Sequence, residues 1–186
     1  WDAVEICSQF LENWAWQNEC MPLISAHIET GKPLPTQLLE RMQSARHFQS
    51  AMQMLRQLEF SLFDFILHQT FDSSDPKFTQ KTLDTIRQQV SVTPVPNYSR
   101  FQNAFSHIFA GGYAAGYYSY KWAEVLSADA FSRFEEEGIF NQQTGRDFRR
   151  HILEMGGSEE PMELFKRFRG REPKVDALLR HSGLAA

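Results

Sequence analysis

Cysteine, charge of one sign and long apolar runs are all scarce in this sequence. Its 186 residues include 2 cysteines and carry a formal net charge of −4. Neither Cys7 nor Cys20 lies in a CxxC or Cys/His cluster, which excludes a zinc finger of ordinary spacing. No apolar run is long enough to cross a bilayer. We therefore expect reduced cysteines, a cytoplasmic location and no membrane partner.

Nucleic acid is not expected as a partner either. The basic stretch 166–171 is flanked on both sides by acidic residues. We interpret it as a solvated helix end, where cations complement the carbonyl terminus of the helix. Without a larger field of positive charge, nothing in the sequence favours binding to a polyanion.

The alternation of apolar and polar residues that marks a β-strand is also absent. Apolar residues instead recur every three or four positions, as they do on the buried face of a helix. The clearest stripe lies in the segment 51–71 and is expected to be buried core: Met54, Leu55, Leu58, Leu62, Phe65 and Ile66. The pattern predicts an all-α fold of several helices.

Proline and glycine divide the chain into these helices. Pro22 is expected to separate two helices in the segment 4–28, and Thr36 to cap a helix that reaches about His47. Gly111-Gly112 is expected to introduce a long helix that reaches about Glu137.

Polar side chains line one face of the opening helix. Glu5, Gln9 and Glu12 are spaced at i, i+4 and i+7, so both carboxylates point the same way. On spacing alone this is either an exposed polar face, the usual place for a helical glutamate, or part of a binding site.

Tyrosine and glycine are concentrated in residues 105–120. Tyr113, Tyr117 and Tyr120 are also spaced at i, i+4 and i+7, which predicts a row of phenols along one side of a helix. Gly111 and Gly112 would let another group approach the backbone closely. The phenols either donate hydrogen bonds to a ligand or pack in the core with their hydroxyls satisfied.

Three blocks of sequence, 1–14, 105–120 and 156–173, resemble in the same order the thimet oligopeptidase and oligopeptidase A family of zinc metallopeptidases, the bacterial oligopeptidase A-like members above all. The resemblance spans nearly the whole chain. It implies that residues 1–186 are the C-terminal helical part of a zincin-type catalytic domain.

The resemblance assigns metal-binding roles to the first block. In the family, an upstream HExxH helix supplies two zinc-binding histidines and the general base. The resemblance implies that Glu5 is the third zinc ligand. Glu12, two turns further along the helix, either orients a ligand histidine from behind, as zinc sites commonly require, or is a surface carboxylate.

The second block resembles the family's glycine-tyrosine loop, which contacts the substrate backbone. The resemblance implies that Tyr113 and Tyr120 bind substrate and stabilise the oxyanion of the tetrahedral intermediate. His107 corresponds to a further transition-state donor. Gly111, Gly112 and Tyr117 complete the substrate-binding loop.

No HExxH motif occurs in this chain, since none of its 6 histidines lies in that arrangement. A catalytic zinc ion needs three protein ligands. We therefore expect the intact protein to be a zinc-dependent endopeptidase that hydrolyses short oligopeptides. We expect the fragment to be inactive and to bind no zinc specifically. Because it lacks the N-terminal part of its chain, the fragment should also self-associate. The alternative is a non-catalytic helical scaffold that binds peptide or a partner helix.

Overall fold

Residues 1–185, which are those the computed structural model describes, form ten α-helices and no β-strand. The all-α prediction is confirmed. The helices are α1 Ile6–Glu12, α2 Met21–Ile24, α3 Thr36–His47, α4 Ser50–Thr70, α5 Phe78–Val90, α6 Ser106–Phe109, α7 Ser119–Glu137, α8 Gln142–Phe148, α9 Pro161–Arg169 and α10 Asp176–His181. Within the same residues, no helix is both long and apolar enough to span a membrane.

The helices are grouped in two compact units. Unit 1 contains Trp1 and Ala51–Lys121, and unit 2 contains Asp2–Ser50 and the chain from Trp122 onward. Most of α4 and all of α5 and α6 therefore belong to unit 1. Most of α7, together with the helices that precede α4 and follow α7, belongs to unit 2.

The core of unit 1 forms around α4, but not on the stripe that the sequence predicts. Leu58, Leu62 and Phe65 are 38%, 37% and 42% exposed, whereas Phe63 and Leu67 are 0% and 4% exposed. Both sides of α4 are apolar at helical spacing, so periodicity alone does not choose between them. Met54, Leu55 and Ile66 are half-buried. The prediction that the stripe is buried core is therefore wrong for Leu58, Leu62 and Phe65, because Phe63 and Leu67 face Leu83 of α5 and Phe105.

The core of unit 2 is aromatic and surrounds α7. Phe131 and Phe134 of this helix pack with Phe10 of α1, whose ring stacks on Phe148 at a centroid distance of 3.8 Å. Burying each such ring contributes about 1.5–3 kcal/mol relative to leaving it in water. The same helix carries one fully buried acid, Asp129, which is 1% exposed.

Two predicted helix boundaries need correction. Thr36 is the first residue of α3, not its N-cap; Pro35 takes the cap position, and no side chain caps the helix. Pro22 does not end a helix but lies in the first turn of α2, where its missing N–H costs nothing. The break between helices comes earlier, after a 3₁₀ turn that ends at Trp16.

Candidate active site

The segment that carries the tyrosines is a loop and not a helix. Helix α7 begins only at Ser119, and Gly112 and Ala115 have φ values of +83° and +54°. Such left-handed residues interrupt a right-handed helix. The predicted row of phenols along one helix is therefore wrong, because Tyr113 and Tyr117 precede the helix that contains Tyr120.

The loop nevertheless brings the predicted side chains together. Tyr113 stacks on Tyr120 with ring centroids 5.0 Å apart and an interplanar angle of 21°. The ring of Tyr117 lies 5.1 Å from that of Tyr120. His107 lies 6.0, 5.8 and 6.2 Å from the rings of Tyr113, Tyr117 and Tyr120. We call these four side chains the tyrosine cluster.

Members of the tyrosine cluster differ in exposure. Tyr117 is 8% exposed, belongs to the core of unit 1 and donates its hydroxyl to Oε1 of Gln57 at 3.1 Å. Burial, reinforced by Tyr120, raises the pKa of Tyr117 above its ordinary value. Tyr113 and Tyr120 are half-buried and His107 is exposed. Tyr117 therefore packs as a core residue, while the other three reach the surface.

Gly111 and Gly112 shape the approach to the cluster. A Cβ atom at Gly111 would lie 2.9 Å from the Cα atom of His107, a distance that Cβ atoms essentially never show, and 3.0 Å from the His107 carbonyl oxygen. Gly112 needs its glycine for conformation, since its φ is +83°. The two residues fold the chain back over His107, and the Tyr113 N–H donates to the His107 carbonyl at 2.9 Å.

Asp64 of α4 binds the loop that carries the tyrosines, a contact that the sequence pattern did not predict. Its side chain is fully buried, and its two oxygens accept hydrogen bonds from the Ala115 and Tyr117 N–H groups, each at 2.9 Å. The sequence feature that could have predicted this contact is the position of Asp64, an acid between Phe63 and Phe65 in a largely apolar segment. Aspartate is almost never buried without partners, so this position called for donors from elsewhere in the chain.

Glu5 and Glu12 lie in unit 2, one at each end of α1. Glu5 is the N-cap residue and half-buried, and its Oε2 accepts a hydrogen bond from Ser8 Oγ at 3.1 Å. Glu12 is exposed, and its charge acts on Arg46. Burial lowers the pKa of Arg46, and Glu12 opposes that shift.

The donor set of this chain does not by itself fit a zinc ion. In residues 1–185, no three His, Cys, Asp or Glu side chains come close enough together to hold a metal. A catalytic zinc ion takes three protein ligands and keeps one position open.

Known proteins resemble this chain along its whole length. Oligopeptidase A of Salmonella typhimurium is 61% identical over 184 residues, which are 99% of this chain and 27% of the relative. Organellar oligopeptidase A of Arabidopsis thaliana is 46% identical, covering 100% of this chain and 24% of the relative. Saccharolysin of Saccharomyces cerevisiae is 35% identical, covering 99% of this chain and 26% of the relative.

The chain thus spans about a quarter of the length of these relatives, 27% for the first of them. The family model of peptidase family M3 matches residues 1–184. On this match and on the similarity to oligopeptidase A, the chain belongs to peptidase family M3.

Proposed function

We propose that the whole protein containing this chain is a cytoplasmic, zinc-dependent endopeptidase that hydrolyses short oligopeptides. The observation that carries the proposal is the tyrosine cluster, in which His107, Tyr113 and Tyr120 meet although they are separated in sequence. Membership of a peptidase family supports it. The chain is proposed to be the C-terminal helical part of the catalytic domain.

The cluster contributes hydrogen-bond donors to the proposed reaction. When water attacks a peptide carbonyl, negative charge develops on the carbonyl oxygen, and a donor held in place stabilises that charge by about 3–4 kcal/mol. The hydroxyls of Tyr113 and Tyr120 and the ring of His107 are proposed as these donors. Tyr117 already donates to Gln57, so we assign it to holding the ring of Tyr120 in place.

Glu5 is proposed as one zinc ligand of the complete site. Two further ligands and the general base would come from a part of the longer protein outside these 186 residues. Glu12 is proposed to orient a ligand histidine, as carboxylates behind a zinc site commonly do. A zinc ion held in this way lowers the pKa of a bound water.

The test compares the intact protein with two variants, Glu5→Gln and Tyr120→Phe. Zinc content is measured by mass spectrometry, and cleavage by release of fluorescence from a quenched short peptide. We expect about one zinc per intact protein, loss of that zinc in Glu5→Gln, and a roughly 100-fold lower kcat with zinc retained in Tyr120→Phe.

Tyr98→Phe is the matched control, because Tyr98 is 79% exposed and outside the cluster. It should leave kcat unchanged. An intact protein that neither holds zinc nor cleaves peptides would favour the alternative, a helical scaffold that binds peptide or a partner helix without chemistry.

A further inference from the structure

We propose that Asp64 is the positioning residue of the tyrosine cluster: its buried carboxylate holds residues 113–118 in the turn that stacks Tyr113 on Tyr120. The inference rests on the proposed function for its catalytic consequence. Its structural part, the hold of Asp64 on the loop, stands on the contacts of unit 1 alone.

The contacts of Asp64 are specific to the loop. Oδ1 accepts the Ala115 N–H and Oδ2 accepts the Tyr117 N–H, both at 2.9 Å, so the carboxylate bridges two amides on either side of Gly116. Hydrogen bonds to an ionised acceptor are roughly twice as strong as those between neutral groups. Because the side chain is 0% exposed, water does not compete for them.

His68 completes the site from one turn further along α4. Its Nδ1 lies 2.9 Å from Oδ1 of Asp64 and also 2.9 Å from the Asp64 carbonyl oxygen. A side chain that contacts both atoms restricts the rotation of the carboxylate. The carboxylate that binds the loop is therefore also held by a side chain of its own helix.

The loop needs such an anchor, because its backbone is unfavourable. Ala115 has a φ of +54°, a left-handed conformation that an L-residue with a Cβ seldom adopts. Strain of this kind persists only where surrounding contacts enforce it. The N–H of Ala115 is itself one of the two groups that Asp64 binds.

Without the anchor, residues 113–118 have an easier conformation. They directly precede α7, and Tyr113, Tyr117 and Tyr120 recur at the three- and four-residue intervals of a helix. These residues can therefore extend α7 by one or two turns. In such a helix Tyr113 and Tyr120 would be about 10 Å apart along the axis instead of stacked. The observed centroid distance of 5.0 Å therefore depends on the turn that Asp64 holds.

The experiment uses the intact protein and the variant Asp64→Asn, in which only one oxygen remains to accept the two amides. We expect hydrogen exchange at the Ala115 and Tyr117 amides to become at least about tenfold faster. Because displacing a catalytic group by about 1 Å costs up to about 100-fold, kcat for a quenched peptide should fall at least about tenfold. Zinc content should not change.

A second substitution distinguishes positioning from a general loss of stability. Ala115→Gly, added to Asp64→Asn, favours the left-handed turn and disfavours the helical extension, so it should recover at least about half of the lost kcat. The matched control is Gln49→Gly, since Gln49 is also exposed with a φ of +54° but lies outside the loop. It should recover none.

If Asp64→Asn does not fold, Ala115→Val keeps the inference testable. A β-branched residue opposes the left-handed turn while Asp64 and the core stay intact. It should speed exchange at Tyr117 and lower kcat, and Gln49→Val should do neither. Unchanged amide exchange in both Asp64→Asn and Ala115→Val, or equal recovery by Gln49→Gly, would overturn the inference.

Failure of the proposed function gives a different result. If the intact protein cleaves no peptide but its variants show the expected change in amide exchange, the anchoring role of Asp64 is supported and the proposed peptidase activity is wrong. If the intact protein cleaves peptides but amide exchange in the variants is unchanged, the peptidase activity is supported and the anchoring role of Asp64 is wrong.

Discussion

Asp129 is a buried acid of unit 2 that is held by several hydrogen-bond donors. It is 1% exposed, and both its oxygens accept hydrogen bonds from Arg171 at 2.6 Å. The Lys174 N–H donates to Oδ2 at 2.7 Å. Burial raises the pKa of the Asp129 carboxyl, but these donors outweigh burial and hold the pKa below its ordinary value.

Replacing Asp129 with Asn should destabilise unit 2 by about 3 kcal/mol, because Arg171 loses its buried partner. Urea denaturation followed by circular dichroism measures the change. Asp72→Asn is the control, since Asp72 is exposed and bonded only within its own turn. A loss below about 1 kcal/mol for Asp129→Asn, equal to the control, would contradict the assignment.

The pH dependence of unfolding follows from the direction of the same pKa shift. Because the folded-state pKa of Asp129 is depressed, its contribution to stability is complete above the unfolded-state pKa of about 3.9. It is lost as the pH falls through the folded-state value. Denaturation between pH 6 and pH 2 should therefore show a steeper loss for the native sequence than for Asp129→Asn.

At the scale of the element, α4 shows how one helix can offer two apolar faces. Leu67 and Leu62 are the same residue type five positions apart, yet they are 4% and 37% exposed. The face with Leu67 is buried because Phe63 and Leu67 pack against Leu83 and Phe105. The two acids on this face, Asp64 and Glu59, are buried with partners: the loop amides and, at 2.9 Å, Arg87. Acids on a buried helix face need donors from elsewhere in the chain.

The two leucines give a matched test of which face is core. Leu67→Ala should lower the free energy of unfolding by about 2–5 kcal/mol, since it leaves a cavity among Phe63 and Leu83. Leu62→Ala should cost less than about 1 kcal/mol. Chemical denaturation of both variants decides the question, and a larger loss for Leu62→Ala would restore the original assignment of the core.

At the scale of the whole molecule, the 186-residue chain presents apolar side chains to solvent. Leu58, Leu62 and Phe65 of α4 are each more than a third exposed, at 38%, 37% and 42%. Contiguous exposed apolar surface favours association. The relatives are longer, since this chain covers 27% of oligopeptidase A. We propose that further residues of the intact protein cover this stripe.

The isolated chain should therefore self-associate. In sedimentation velocity, its average mass should rise with concentration between about 10 and 300 μM, and Leu62→Glu combined with Phe65→Glu should abolish the rise. Glu substitutions at Gln69 and Thr70, exposed on the same helix, serve as the charge-matched control. A strictly monomeric chain at the highest concentration would contradict the prediction.

Much of this protein was readable from its sequence. The 3.6-residue period predicted the all-α class. The ends of α3 and α4 lie within about one residue of the predicted helices, one capped by Thr36 and reaching about His47, the other spanning 51–71. The sequence blocks also singled out His107, Tyr113 and Tyr120, whose rings lie within about 6 Å of one another in the structure. These features depend on residue type or on neighbours close in the chain, so the sequence alone is enough to predict them.

Tertiary structure decided what periodicity leaves open. It chose the buried face of α4, and it paired Arg169 and Arg171 with Asp129, where the basic stretch predicted a solvated helix end. It also turned 113–118 into a loop, through bonds from Asp64 to amides 51 and 53 positions away. A helical pattern records neighbours three or four residues apart, whereas the partner of a buried charge is fixed only when distant segments meet.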